Sequence, residues 1–118
     1  YTNRIHADDL AAAAQRVAEL GADGAAYNVS DGQPTTMTDY FLRCARLLGV
    51  PAPPEQPLEE ALKTMSPMLK SFLEESKRLS NRRLVETLGW RPQYPSLDSG
   101  LPASVDADLV VRAFMNAA

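Results

Sequence analysis

Ala25-Ala26-Tyr27-Asn28-Val29 has the length and composition of a β-strand, and it constrains everything else in the chain. A strand carries backbone donors and acceptors along both edges, and these need neighbouring strands. Elsewhere the sequence offers only extended stubs near Ile5 and Leu79. The remaining hydrophobic spacing is helical. With 118 residues and 45% hydrophobic content, the chain can support one modest core and no more. Five or six helices around so little strand predict that the sheet lies outside the chain. An opening on Tyr1, with no initiator Met, carries the same expectation of a piece of a longer protein. An unpaired strand edge is a template for association. The isolated chain is therefore expected either to pair as a homodimer through that strand or to be marginally stable.

The helices announce themselves by their ends. Asp8 and Asp9 place carboxylates where a helix begins, and Leu10, Ala13, Ala14, Val17 and Leu20 give it one apolar face before Gly21 stops it. Thr36 and Asp39 have capping-box spacing ahead of a stripe of Met37, Tyr40, Phe41, Cys44, Leu47 and Leu48, which Gly49 and Pro51 end. Four prolines in the eight residues Val50–Pro57 predict a rigid extended crossing. Pro57 opens a short helix, and Ser66-Pro67 ends it and caps another bearing Met68, Leu69, Phe72 and Leu73. Ser80 is expected to cap a helix with Leu84, Val85 and Leu88 facing inward, stopped by Gly89. Arg91 to Pro95 reads as extended, and Leu109, Val110, Ala113 and Phe114 suggest a last helix.

A net charge of -3 and a pI near 5.1 argue against nucleic-acid binding and against a membrane surface. No apolar run is long enough to cross a bilayer as a helix. The single Cys44 cannot form an internal disulfide, which fits a reducing compartment and a cytoplasmic protein. Cys44 lies on an apolar stripe and reads as a core residue rather than a nucleophile. His6, Asp8 and Asp9 stand almost consecutively at a helix start, where capping explains them better than metal binding, and no metal site is expected. Lys77, Arg78, Arg82 and Arg83 put four cations into seven residues. They fit a solvated helix start balanced by Glu74 and Glu75, and they also fit an anion site. No Gly-rich phosphate loop is present.

Asn3-Arg4-Ile5-His6-Ala7-Asp8-Asp9-Leu10-Ala11 resembles the R-I-H-V-D-D-L-A segment of NAD-dependent epimerase/dehydratase proteins, the extended and atypical short-chain dehydrogenase/reductases. Tyr27-Asn28-Val29-Ser30-Asp31 resembles their Y-N-V-x-D strand. Ser66-Pro67-Met68, Ser71-Phe72, the stretch Lys77 to Arg83, and Leu88-Gly89-Trp90 resemble their closing region. The likeness runs in order over about residues 1–101. It implies an α/β fold: the helix-rich C-terminal part of a Rossmann-type short-chain dehydrogenase/reductase, with one clear strand and five to six helices. Residues 1–101 would then be the substrate-binding segment, and 102–118 a helical tail.

Within this family the Gly-rich dinucleotide loop and a catalytic Tyr-x-x-x-Lys pair belong to the N-terminal half. Here the tyrosines are followed four positions later by Ile5, Asp31, Cys44 and Asp98, so the pair is absent. The resemblance therefore implies no catalytic residue in this chain and no tight dinucleotide binding by it. NAD or NADP would be held by the N-terminal nucleotide-binding half of the parent protein. The substrate implied is a nucleotide sugar or another small carbonyl- or hydroxyl-bearing molecule. Arg4 and His6 would bind it from the end of a strand, with Arg78 or Arg82 on the opposite wall. A family Arg that grips substrate pyrophosphate corresponds to Thr2 here, and the usual D-x-S-K reads Ser80-Asn81-Arg82-Arg83, which moves the chain toward atypical members. The alternative is a non-catalytic interaction or regulatory module that keeps the same fold.

Overall fold

His6 starts the first helix. Its Nδ1 accepts the backbone N–H of Asp8 at 3.1 Å, so an imidazole takes the capping place that aspartate usually fills. Helix α1 runs Ala7–Leu20 and ends at Gly21, whose N–H returns to the carbonyl of Val17. Helix α2, Met37–Leu48, opens as its sequence predicts, with Thr36 Oγ1 accepting the Asp39 N–H at 3.1 Å. The proline crossing leads to α3 (Leu58–Leu62) and α4 (Pro67–Glu74), the latter capped by Ser66. Helix α5 spans Arg82–Leu88. Asn81, not Ser80, occupies its cap position, while Ser80 Oγ accepts the Arg82 N–H at 3.2 Å. Gly89 then takes the left-handed conformation at φ 65°, which a side chain would strain, and the turn directs Trp90 back to the core. A sixth helix, α6, covers Leu97–Ser104; the sequence reading has no helix beginning at Leu97, and only the last residues of α6 fall within the expected helical tail.

The structure, a computed structural model, describes residues 1–105. The helix expected around Leu109 to Phe114, and most of the expected 102–118 tail, lie outside the described residues. Helix α1 packs on α5 through Ala13 and Leu84, neither of which reaches solvent. Leu88 and Trp90 complete the centre, and Ile5, Val17, Tyr27, Val29 and Val85 pack around it. Helix α2 packs on α6, and the Arg43 guanidinium ties them by pairing with Asp39 at 2.9 Å and with Asp98.

The expected strand does not form. Among the described residues there is no strand or sheet, and the β contact present is an isolated antiparallel bridge between Thr2 and Thr35. The Rossmann-type α/β assignment is therefore corrected to a helix-rich fold. Its physical cause is the one that made the strand conspicuous: a strand is defined by its neighbour's backbone, and none arrives. Ala26 instead gives its carbonyl to the Arg83 guanidinium at 3.0 Å, and Asp31 N–H goes to the Arg4 carbonyl at 2.8 Å. Pairing of two copies through a strand at Ala25–Val29 loses its basis with it.

The molecule is a slab of 50 × 35 × 18 Å, less than two helix diameters (about 10–12 Å each) in its thin direction. Among the described residues three of the seven buried hydrophobic ones are alanines, whereas Met68, Phe72 and Phe41 are 84%, 60% and 49% exposed. Much of the apolar surface the helices bring is thus left uncovered. Among the described residues no helix is long and apolar enough to cross a membrane.

Candidate functional site

The stub ahead of α1, the loop at Asp31, the first turn of α2 and the whole of α6 enclose a cleft of about 330 Å³. Asn3 begins the arrangement. Its side-chain amide donates to the carbonyl of Lys77 and accepts the N–H of Leu79, both at 2.9 Å, and so imitates a backbone pairing between two segments far apart in sequence. Asp9 makes a second tie. Its carboxylate, 4% exposed, accepts the backbone N–H groups of Gln93 and Tyr94 at 2.8 and 2.9 Å. This carboxylate draws the chain beyond Trp90 over the start of α1 and delivers Tyr94 onto the His6 ring, with centroids 4.2 Å apart.

Arg4 and His6 both line this cleft. The His6 side chain is 9% exposed. With Nδ1 accepting from Asp8, a neutral imidazole carries its proton on Nε2 and is a hydrogen-bond donor there. Arg4 lays its guanidinium over the Tyr40 ring, 3.4 Å from the centroid, and its terminal nitrogen makes a long 3.7 Å contact with the Met37 sulfur. Its Nε is buried without a hydrogen-bond partner, and among the described residues no carboxylate pairs with it. Burial, then the hydrogen bond with the Cys44 thiol, pushes the Tyr40 phenol above its usual range, so a neutral ring rather than a phenolate faces the cation.

Arg78 and Arg82 are placed elsewhere. Arg78 is exposed and stands over the Tyr1 ring at 5.1 Å, and Arg82 is exposed and paired with Glu86 at 2.8 Å. Neither lines the cleft with Arg4 and His6, so the second cationic wall is not assembled. The basic stretch contributes its backbone and Asn81 instead. Asn81 Nδ2 donates to the Ser30 carbonyl at 3.0 Å, and a Cβ at Gly32 would come within 3.0 Å of the same amide. That contact sets the loop carrying Asp31 against α5.

Asp31, Tyr40, Tyr94, Ser96 and the α6 residues Leu97, Gly100, Leu101 and Ser104 are cleft residues that sequence reasoning does not single out. Asp31 was legible only as the last residue of a motif. Helix α6 had a signal in Ser96 followed by Asp98, with Gly100 and Pro102 reading against it. Burial raises the Asp31 carboxyl above its ordinary 3.8, a hydrogen bond from the Gln33 N–H pulls it back, and the charge of Asp9 raises it further. A folded-state value above the unfolded one means that the protonated acid suits the fold. This contribution to stability is whole below pH 3.8 and is lost as pH rises through the raised value. Asp31→Asn keeps an acceptor for Gln33 and cannot ionise. Urea unfolding at stepped pH should therefore show the native chain losing stability relative to the variant as pH climbs from below 3.8 toward neutral. Parallel curves would mean that no burial penalty exists.

A second hollow of about 680 Å³ lies on the other side of Arg4 and Tyr40, which belong to both. Its walls are largely apolar: Met37 and Phe41 of α2, Pro53 and Pro54 of the crossing, Leu69 and Phe72 of α4. Among the described residues no group of three or more His, Cys, Asp or Glu side chains could hold a metal ion.

No protein-family model and no curated protein matches the chain. A solved structure, that of "a functionally unknown conserved protein from Silicibacter pomeroyi DSS", is similar to it. The two share 36% identity and a TM-score of 0.79 over 94% of this chain and 38% of that one. The fold described above is thus that of a segment of a longer protein, and the chain spans well under half of that protein's length.

Proposed function

We propose that this chain is the substrate-binding C-terminal portion of an NAD(P)-dependent epimerase/dehydratase or reductase, inactive by itself. The observation that carries the reading is the Arg4–His6 pair. A half-buried guanidinium with an unbonded Nε and an imidazole with a free Nε2–H line one cleft, on a stub that Asn3 and Asp9 hold in place. Such donors suit the oxygen atoms of a carbonyl, hydroxyl, carboxylate or phosphate. The match to only part of a longer structure supports an N-terminal half that completes the molecule. A dinucleotide does not fit this chain's own residues, because the sequence has no Gly-rich loop to take its phosphates. NAD or NADP would be held by that other half and would supply the hydride chemistry, while Arg4 and His6 orient the substrate.

In the full-length protein Arg4→Ala should weaken substrate binding by about 1.5–3 kcal/mol, the range for a hydrogen bond to a charged group. Dinucleotide affinity should hardly change. Steady-state kinetics check both, and an unchanged substrate constant with a lowered melting temperature would make Arg4 structural. Reading the gene upstream of Tyr1 is the companion test. A Gly-rich loop and a Tyr-x-x-x-Lys pair are expected there, and their absence would favour a non-catalytic interaction module.

A further inference from the structure

Arg4 separates two hollows of opposite character. On one side lies the smaller cleft, where the His6 imidazole, the Asp31 carboxyl and the Ser96 and Ser104 hydroxyls are gathered. On the other lies the larger groove between α2, the proline crossing and α4, with about twice the volume (680 against 330 Å³). Tyr40 is the second residue common to both, and its ring carries the guanidinium on its face. Phe41, Leu69 and Phe72 line the groove yet remain 49%, 45% and 60% exposed, so the groove is open to a ligand of some length.

The charge at the junction is unusual for so apolar a setting. Ion pairs elsewhere satisfy Arg43 and Arg82, but among the described residues no carboxylate pairs with Arg4, and its buried Nε lacks even a neutral acceptor. A buried donor left without an acceptor is costly, and an anion supplied from outside removes that cost. Beyond Arg4 and Tyr40, the polar residues of the groove's lining are Thr38, Glu55 and Gln56, and the rest is largely apolar. Most hydroxyls of a nucleotide sugar would therefore lie against side chains such as Met37, Pro53, Pro54 and Phe72 without partners.

We infer that the ligand of this site is an amphipathic carboxylate, with its carboxylate on the Arg4 guanidinium and an alkyl or aryl body in the α2–α4 groove. The inference deepens the proposed function and rests on it, since it names the class of substrate that the same Arg4 site takes. The polar cleft beyond Arg4 then receives whatever hydroxyl or carbonyl the molecule carries near its head, within reach of the His6 donor. Burial of the apolar body supplies most of the affinity, and the charge-assisted hydrogen bonds at Arg4 fix which end points inward.

The test is titration calorimetry on the full-length protein without dinucleotide, using decanoate, decanol, acetate and UDP-glucose as probes. Decanoate should bind. Decanol, which keeps the chain and drops the charge, should bind about tenfold or more weakly, as expected when a charged hydrogen bond is lost. Acetate should show no binding. Arg4→Met should erase the preference for decanoate over decanol, and Phe72→Glu, at an exposed position, should weaken decanoate with Arg4 intact. Equal affinities for decanoate and decanol, or binding of UDP-glucose in place of decanoate, would overturn the assignment even if Arg4→Met fails to fold. Concentration-dependent sedimentation that Phe72→Glu abolishes, with no decanoate bound, would give the groove to a second copy and also overturn it. Because the titration needs no turnover, decanoate binding without dinucleotide-dependent activity would remove the enzyme reading alone. Activity without decanoate binding would remove this inference alone.

Discussion

Asp9→Ala is expected to unfold the chain, or to leave it so weakly folded that it melts near room temperature. The carboxylate is 4% exposed and accepts two backbone N–H groups, those of Gln93 and Tyr94. Hydrogen bonds to a charged acceptor are worth about 1.5–3 kcal/mol each, and their loss would leave both amides without an acceptor. A combined loss of about 3–5 kcal/mol is comparable with the lower end of the 5–15 kcal/mol that holds a typical domain together. This chain should lie at that lower end, because its core is small and its slab is thin. The contact also closes the site: without it, Tyr94 is no longer delivered to His6 and the cleft loses a wall. Asp9→Asn is the informative control, since its amide oxygen can still accept one of the two N–H groups and should retain part of the stability. Urea unfolding followed by circular dichroism measures both. A loss below about 1 kcal/mol for the alanine variant would reduce Asp9 to an ordinary helix-start residue.

Trp90→Ala is the second large effect, expected at about 3–5 kcal/mol for removing a buried tryptophan. Trp90 is 4% exposed and packs with Ala13, Leu84 and Leu88 at the α1–α5 contact. With so few large side chains buried, the cavity would have little around it able to collapse inward. Trp90→Phe should behave quite differently. The indole Nε1–H is buried with no acceptor, so phenylalanine removes an unsatisfied donor along with part of the ring. The two effects oppose each other, and the net change should stay within about 1.5 kcal/mol. Equal losses for the alanine and phenylalanine variants would show that the indole nitrogen is satisfied in solution.

Arg4 and His6 were legible as neighbours on one cleft wall, whereas Arg78 and Arg82, expected on the wall opposite, do not line that cleft. The reason is positional. Arg4 and His6 sit on a short stub immediately ahead of a helix whose start the sequence marks clearly, so their placement needs little beyond local geometry. For Arg78 and Arg82 to join them, the direction of exposed side chains would have to be read from spacing alone. The two segments do meet, but through the Asn3 amide on the backbone of Lys77 and Leu79, with the cations turned outward.

By itself the sequence determined five of the six helices among the described residues and most of their ends. Thr36, Ser66, Gly49 and Gly89 act within one turn of where they stand, because capping and left-handed termination involve backbone groups no more than a few residues away. What it could not determine is everything that depends on a distant partner. Ala25–Val29 carries the right residues for a strand, yet no strand lies beside it among the described residues, so it remains a connection without regular secondary structure. Helix α6 forms despite Gly100 and Pro102, packed along α2 and tied to it by Arg43. The Asp9 tie spans 84 residues to Gln93, and nothing in the local pattern Asp8-Asp9 distinguishes the exposed carboxylate from the buried one. Local hydrogen bonding is written in spacing, but burial is a property of what arrives from elsewhere, and only the tertiary structure shows which residues arrive.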